Sequence, residues 1–296
     1  MIRGSIIKSN LIQNVVSRAL RVYQNEGLVS TIQKSTRFVP RYVRHVLGTK
    51  RLYGSSHYRT LICWSNARPY SVDDPFTIIH IDPNEIIHLT DRGPNPGRFQ
   101  WQDLGTVQGG DWDRSDDQVE DLPVVGALRD RYENGREWED IEFIQHVIEQ
   151  TKRGRVIWRG CASEKDVWDA CARVDHLYEC IQNQGYRTKR ELVQQDGLSP
   201  DKYVDGDRFN CYDEVVVDIG RDGRFLFVDG RHRLTIAKIL DLDEIPVRIS
   251  ARHKQWQQVR EQAANADVNE KSLESITRHR NHPDLKNMCP SETHKS

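Results

Sequence analysis

The stretch that most limits what this chain can become is Phe225-Leu226-Phe227-Val228-Asp229-Gly230-Arg231-His232-Arg233-Leu234-Thr235-Ile236-Ala237-Lys238-Ile239-Leu240. Its first four residues are apolar and half of them aromatic, which suits a buried strand. Its second half sets Leu234, Ala237, Ile239 and Leu240 at roughly helical spacing and predicts a short packed helix. Gly230 lets the chain turn from strand to helix with no Cβ in the way. The first turn of such a helix leaves backbone N–H groups without partners and carries the positive end of the helix dipole. Arg231 and Arg233 add two permanent cations at the same place. Donors, dipole and guanidinium forks together make a site for an anion, most naturally a phosphate. The same residues also fit a plain strand–turn–helix whose arginines only form surface salt bridges.

The flanking sequence extends the unit. Residues 215–219, a Gly-containing turn at 220–223 and residues 224–228 read as a β-hairpin. Residues 247–249 close the sheet, and a strand at 77–81 opens it. The order of strand, Gly-x-x-Arg box, helix and Pro-led strand (Val228-Asp229-Gly230-Arg231-His232-Arg233-Leu234, then Asp241-Leu242-Asp243-Glu244-Ile245-Pro246-Val247) resembles ParB N-terminal-like domains of the ParB/sulfiredoxin fold. Ile78-Ile79-His80-Ile81-Asp82-Pro83-Asn84-Glu85-Ile86 is similar to that family's opening strand and I-x-P element. His176 to Gly185 is similar to the helix, ending in Gly, that precedes its second strand. The resemblance implies an α/β (α+β) protein with a ParB/sulfiredoxin-like mixed sheet. It implies phosphate binding at Gly230, Arg231, His232 and Arg233. The free-serine kinases of the same fold carry an Asp-Gly-His-x-Arg box, and that likeness makes Asp229 a candidate catalytic base. A nucleotide with Mg²⁺ is the cofactor such a site would take. The box holds no Cys, which argues against sulfiredoxin chemistry.

Charge divides the chain. Residues 1–70 hold twelve Lys or Arg and one acid, Glu26, a balance of +11, whereas the remainder carries −12. Residues 9–24 read as an amphipathic helix, and residues 29–47 as a second, with Lys34, Arg37, Arg41 and Arg44 on one face. A basic arm on an acidic body points to an anionic membrane surface or nucleic acid, or to the arm lying against its own body. The arm resembles the amino-terminal segments of some archaeal proteins associated with surface glycans. Residues 48–75 read as a linker. The expected organisation is an arm and linker at 1–75, a body at 76–266 with a helical insertion at about 91–160, and a disordered tail at 267–296. No run reaches the roughly 18–20 apolar residues of a membrane span, and no secretory core is visible. Six scattered cysteines without a C-x-x-C pair predict reduced thiols in a cytoplasmic protein, peripheral to a membrane if the arm binds one.

Three functions are open on these residues. The body could bind a nucleotide or nucleic acid, act as a small-molecule phosphotransferase, or serve as a non-catalytic membrane- or DNA-associated adaptor. Its acidity shifts weight from nucleic acid toward a small phosphorylated ligand. Asp82, Glu85, Asp111, Asp113 and Asp218 are the acids a metal-dependent nuclease would need to bring together. Trp112, between two acids after paired glycines, marks either a substrate or metal loop or an aromatic anchor for a long loop. Arg233→Ala is expected to abolish anion binding and to leave folding nearly intact.

Overall fold

The computed structural model describes residues 56–70, 72, 74–92, 101–188, 191, 214–264, 279 and 281–286. The chain divides into two compact units, Met1–Ile62 and Cys63–Ser296. Of the first, only residues 56–62 are described, so the two amphipathic segments of the basic arm lie outside the described residues.

The second unit is built on a mixed six-stranded sheet. Its strands are β1 (Ile78–Ile81), β2 (His88–Leu89), β3 (Thr106–Gln108), β4 (Val215–Ile219), β5 (Phe225–Asp229) and β6 (Ile245–His253). The spatial order is β1-β6-β4-β5-β2, and β3 also pairs with β6. β4 and β5 form the expected antiparallel hairpin, and β6 runs parallel to β4. β1 is antiparallel to the first half of β6, with Ile81 opposite Ile245, and β3 is parallel to its last three residues. The strands expected at 77–81, 215–219, 225–228 and 247–249 therefore share one sheet. Every residue of β4 and of β6 is buried; β4 is apolar but for Asp218, whereas β6 buries Arg248, Ser250, Arg252 and His253 along with its apolar residues.

Six helices accompany the sheet: α1 (Ser56–Ala67), α2 (Pro123–Tyr132), α3 (Glu142–Lys152), α4 (Glu164–Gln184), α5 (Arg231–Ile239) and α6 (Lys254–Ala264). α4 starts with a full capping box: Ser163 Oγ accepts the Asp166 N–H at 3.2 Å, and Asp166 accepts the Ser163 N–H at 2.9 Å. It ends at Gly185 with φ +78°. α5 packs on α2, α4 and β4. Leu234 and Ala237 of α5, Val125 and Leu128 of α2, Ile144 and Val147 of α3, and Val167, Ala170 and Val174 of α4 join Val215, Val217 and Phe227 in one apolar core. No described helix is long and apolar enough to cross a membrane.

Three segments depart from expectation. Residues 56–67, read as part of a linker, are helical, and Cys63 and Ala67 are fully buried. The Ser, Asn and Arg residues around them mask two small apolar positions four apart. The span 91–160, expected as a helical insertion, also contributes β3, because three residues suffice to extend an edge already set by β6. Within the span 267–296, read as disordered, His279 and residues 281–286 pack against α6 and the β4–β5 turn. Leu285 is fully buried, and Asp284 pairs with Arg252 at 2.6 Å and Arg260 at 3.1 Å. His282 lies 4.9 Å from the Phe225 ring and 4.4 Å from that of Trp256.

Candidate anion-binding site

The box lies where β5 hands over to α5. Opposite β5, β4 advances one residue, from Val216 to Val217, while β5 goes from Asp229 to Phe227, so Val228 is the extra residue of a bulge. A bulge at a strand end re-aims the side chain beside it, here Asp229. Gly230 then adopts φ +93° and ψ +26° and opens the helix. A Cβ there would lie 2.8 Å from Val215 Cα and 2.9 Å from the Glu214 carbonyl oxygen, so hairpin packing as well as dihedral preference demands glycine.

The residues of the box take different roles. Asp229 accepts the Gly230 N–H at 2.7 Å and pairs with no arginine among the described residues. Arg231 is half-buried and has no ion-pair partner among the described residues. Arg233 is buried. Its guanidinium lies 3.5 Å from the Glu214 carboxylate, stands 4.2 Å from the centre of the Tyr186 ring and donates to the Arg187 carbonyl. Its surroundings tie it into the fold, so the expectation that its removal leaves folding intact does not fit where it sits. The acid beside the two arginines is thus not their partner; Glu214, just ahead of β4, serves Arg233 instead.

His232 accepts the indole N–H of Trp158 on Nε2 at 3.2 Å. A lone pair held this way places the neutral ring's proton on Nδ1. Burial, with Arg159 and Arg231 adding to it, pushes His232 down to about 3. Trp158 and Arg159 belong to a tight hairpin in which Ile157 and Cys161 exchange both backbone bonds, at 3.1 and 2.8 Å. The hairpin reverses with φ of +31° at Trp158, +57° at Arg159 and +80° at Gly160. Gly160 between two residues that pair was the available signal. A non-glycine residue in that region costs about 1–3 kcal/mol and persists only where its surroundings hold it. Here Phe143 meets the Trp158 ring edge-on, at 5.6 Å and 87°.

The other candidates do not converge. Asp82 caps the short helical turn Pro83–Glu85 by accepting the Asn84 N–H at 2.8 Å. Asp111 and Asp113 are both engaged by Arg221, at 2.8 and 2.7 Å. Burial opposes the charge on Asp113, but hydrogen bonds from the Arg221 side chain and backbone prevail and hold its carboxyl at about 2. Asp218 is buried on β4 with Arg92 at 2.7 Å. Among the described residues no three His, Cys, Asp or Glu side chains are grouped to hold a metal ion. Trp112 is buried with its ring 5.6 Å from that of His253, and it anchors its loop. Cys63, Cys161, Cys171 and Cys180 are free thiols, and Cys211 and Cys289 lie outside the described residues.

Comparison with known proteins settles neither family nor function. No family model, no curated protein and no solved structure matches the chain.

His232 also gives the fold a pH dependence, and His282 adds to it. Burial lowers His282 too, helped by His279 and Arg252 and opposed by Asp284 and the Gly223 carbonyl. A histidine whose folded value lies below its unfolded value takes up its proton first in the unfolded chain. Stability is therefore whole above about pH 6.5 and is lost as pH falls toward the folded values. The carboxylates of Asp113 and Asp284, both lowered, lose their contribution only at more acid pH. The urea midpoint should fall between about pH 6.5 and 5, and His232→Gln should flatten that slope. A midpoint constant over this interval in the unsubstituted chain would contradict the placement of both rings.

Proposed function

We propose that this chain is a ParB/sulfiredoxin-like domain that binds a phosphate-bearing ligand, a nucleotide or nucleic acid, at Asp229-Gly230-Arg231-His232-Arg233. The observation that carries the reading is Arg231, a cation without an ion-pair partner among the described residues in the first turn of α5. Gly230 leaves the N–H groups of that turn open to an approaching anion. The sequence of β5, box, α5 and Pro-led β6, with β1 at the sheet edge, supports the family reading. The net negative charge of the body favours a small ligand over a polyanion. In this scheme Arg233 holds the box together from behind, and Arg231 meets the ligand.

A phosphotransferase is the second reading, and the state of Asp229 favours it. An acid beside two arginines is ordinarily consumed by an ion pair. Asp229 is not; its one partner among the described residues is the Gly230 N–H. A carboxylate held at the edge of an anion site can accept the proton of an attacking hydroxyl while the helix turn and Arg231 hold the phosphoryl group.

The test is a thermal-shift and calorimetric screen of the full chain against inorganic pyrophosphate and nucleoside di- and triphosphates, with and without Mg²⁺. Arg231→Gln should keep the wild-type melting temperature and lose affinity by roughly 10- to 150-fold, the worth of one charge-assisted hydrogen bond. Unchanged affinity in that variant would remove the box from the function. Asp229→Asn should retain binding, and loss of phosphoryl transfer in it would decide for the second reading.

A further inference from the structure

We propose that Arg248 binds a carboxylate on the sheet face away from α5, through the Nε and Nη2 side of its guanidinium. This is a second ligand site, independent of the anion reading of the box. β6 puts Arg248 there by alternation. Val247 and Ile249 lie in the apolar core with Leu234 and Ala237 of α5, so the side chain between them turns to the other face. Its partners in register are Ile78 on β1 and Val216 on β4, and their neighbours Ile79 and Val217 also belong to that core.

Arg248 is 6% exposed. A guanidinium stays charged, and buried charges are as a rule paired. Among the described residues no carboxylate lies within ion-pair distance of this one. Asp218, two residues on from Val216, is taken by Arg92 at 2.7 Å, and Glu214 lies 3.5 Å from Arg233. The hydrogen bond Arg248 does make runs from Nη1 to the Phe76 carbonyl oxygen, at 3.3 Å. Nε is buried and has no hydrogen-bond partner among the described residues, and no bond there uses Nη2. Two other buried arginines show what that side of the group takes. Arg92 meets Asp218 with Nε at 2.7 Å and Nη2 at 3.2 Å. Arg252, four residues further along β6, meets Asp284 with Nε at 2.9 Å and Nη2 at 2.6 Å. Each presents two parallel donors to the two oxygens of one carboxylate. Arg248 has the same pair of donors, with Nη1 already committed to the backbone. The side chains of Ile78 and Val216 offer no acceptor. A single fork between apolar neighbours fits a monocarboxylate rather than a phosphoryl group, which carries more charge and a third acceptor oxygen.

The experiment uses the full chain, with sodium acetate as the probe and sodium chloride and inorganic phosphate at equal ionic strength as comparisons. Binding is read as a rise in melting temperature and, at the site itself, as movement of the arginine Nε–H signals in ¹⁵N NMR. Acetate should raise the melting temperature above its value in chloride and saturate. It should also move one Nε–H signal, the one missing from Arg248→Met. That variant fills much the same space without a charge. It should melt no lower than wild type in chloride, since an unpaired buried cation is gone. Its acetate affinity should be weaker by about tenfold or more. Arg248→Lys keeps the charge without the fork and should lose most of the acetate effect. Arg231→Gln should keep that effect whole, because the box is a separate site. An acetate effect that survives in Arg248→Met, or is lost in Arg231→Gln, would overturn the inference. So would an Nε–H signal that acetate leaves unmoved in the unsubstituted chain, a result that needs no variant to fold. Inorganic phosphate moving the Arg248 signal as far as acetate does would overturn the ligand class.

Discussion

Asp218→Ala should destabilise the fold by about 3–5 kcal/mol, the cost of stranding the partners of a buried ion pair. Asp218 is completely buried in the middle of the sheet, and four donors converge on it. Arg92 grips it with Nε at 2.7 Å and Nη2 at 3.2 Å, and Thr90 Oγ1 donates at 2.9 Å. The fourth is the Ala251 N–H at 2.9 Å. That amide is free because the register of β6 against β4 shifts by one residue between Val217 and Ile219. The carboxylate therefore caps a bulge in the longest strand and ties down the segment after β2. Once it is gone, Arg92 keeps, among the described residues, Asp103 at 2.9 Å and the Ser250 hydroxyl at 2.8 Å. Burial alone would lower the Arg92 value, and in the intact protein Asp218 and Asp103 override it; without Asp218 the guanidinium still cannot escape by deprotonating, because arginine keeps its proton throughout the ordinary pH range. Urea denaturation should show the loss as a lower midpoint at unchanged slope. Asp218→Asn, which keeps one acceptor, should lose less. A change under 1 kcal/mol in the Ala variant would mean that the network is dispensable.

Legibility in the sequence followed locality. The β4–β5 hairpin, the bounds of α4 and the glycine at the start of α5 were readable because each is decided within a few residues. Ser163 and Asp166 satisfy one another, and Gly185 stops the helix they start. The strand at 78–81 was readable from its apolar run. β3 was not, since Thr106-Val107-Gln108 acquires its meaning only from the edge of β6. Cys63 and Ala67 are too small an apolar signal to outweigh polar neighbours, so α1 passed for a linker. The packed piece of the carboxyl-terminal span is held by Asp284 between Arg252 and Arg260, a contact between charged residues that hydropathy scores as solvent-loving.

The site was legible in part for the same reason. The local chemistry of the box could be read: glycine at positive φ, helix start, cations in the first turn. Which arginine faces outward could not. That depends on Glu214 and Tyr186, brought to Arg233 by strands and helices distant in sequence. Nor could the hairpin at 157–161, whose tryptophan and arginine take a backbone conformation that their side chains disfavour. Its reason lies in His232, more than seventy residues away.

Arg233→Ala is where the two levels of reading part most sharply. Read from the box alone, the substitution removes a ligand contact and spares the fold. Read from its surroundings, it should cost about 3–5 kcal/mol of stability, because it takes a guanidinium away from the buried Glu214 carboxylate. It also takes a guanidinium off the Tyr186 face and a donor from the Arg187 carbonyl, releasing the chain that leaves α4. Arg233→Lys keeps the charge and loses the planar fork, so it should fall between the two. The discriminating variant is the double substitution Arg233→Ala with Glu214→Ala. If the single loss is chiefly that of a guanidinium from beside a buried carboxylate, removing that carboxylate should restore part of the stability, and the double variant should be more stable than Arg233→Ala. Urea midpoints of the three variants, set beside Arg231→Gln, measure this directly. Arg233→Ala as stable as wild type, with pyrophosphate binding lost, would return Arg233 to the ligand and reverse the assignment of inner and outer arginine.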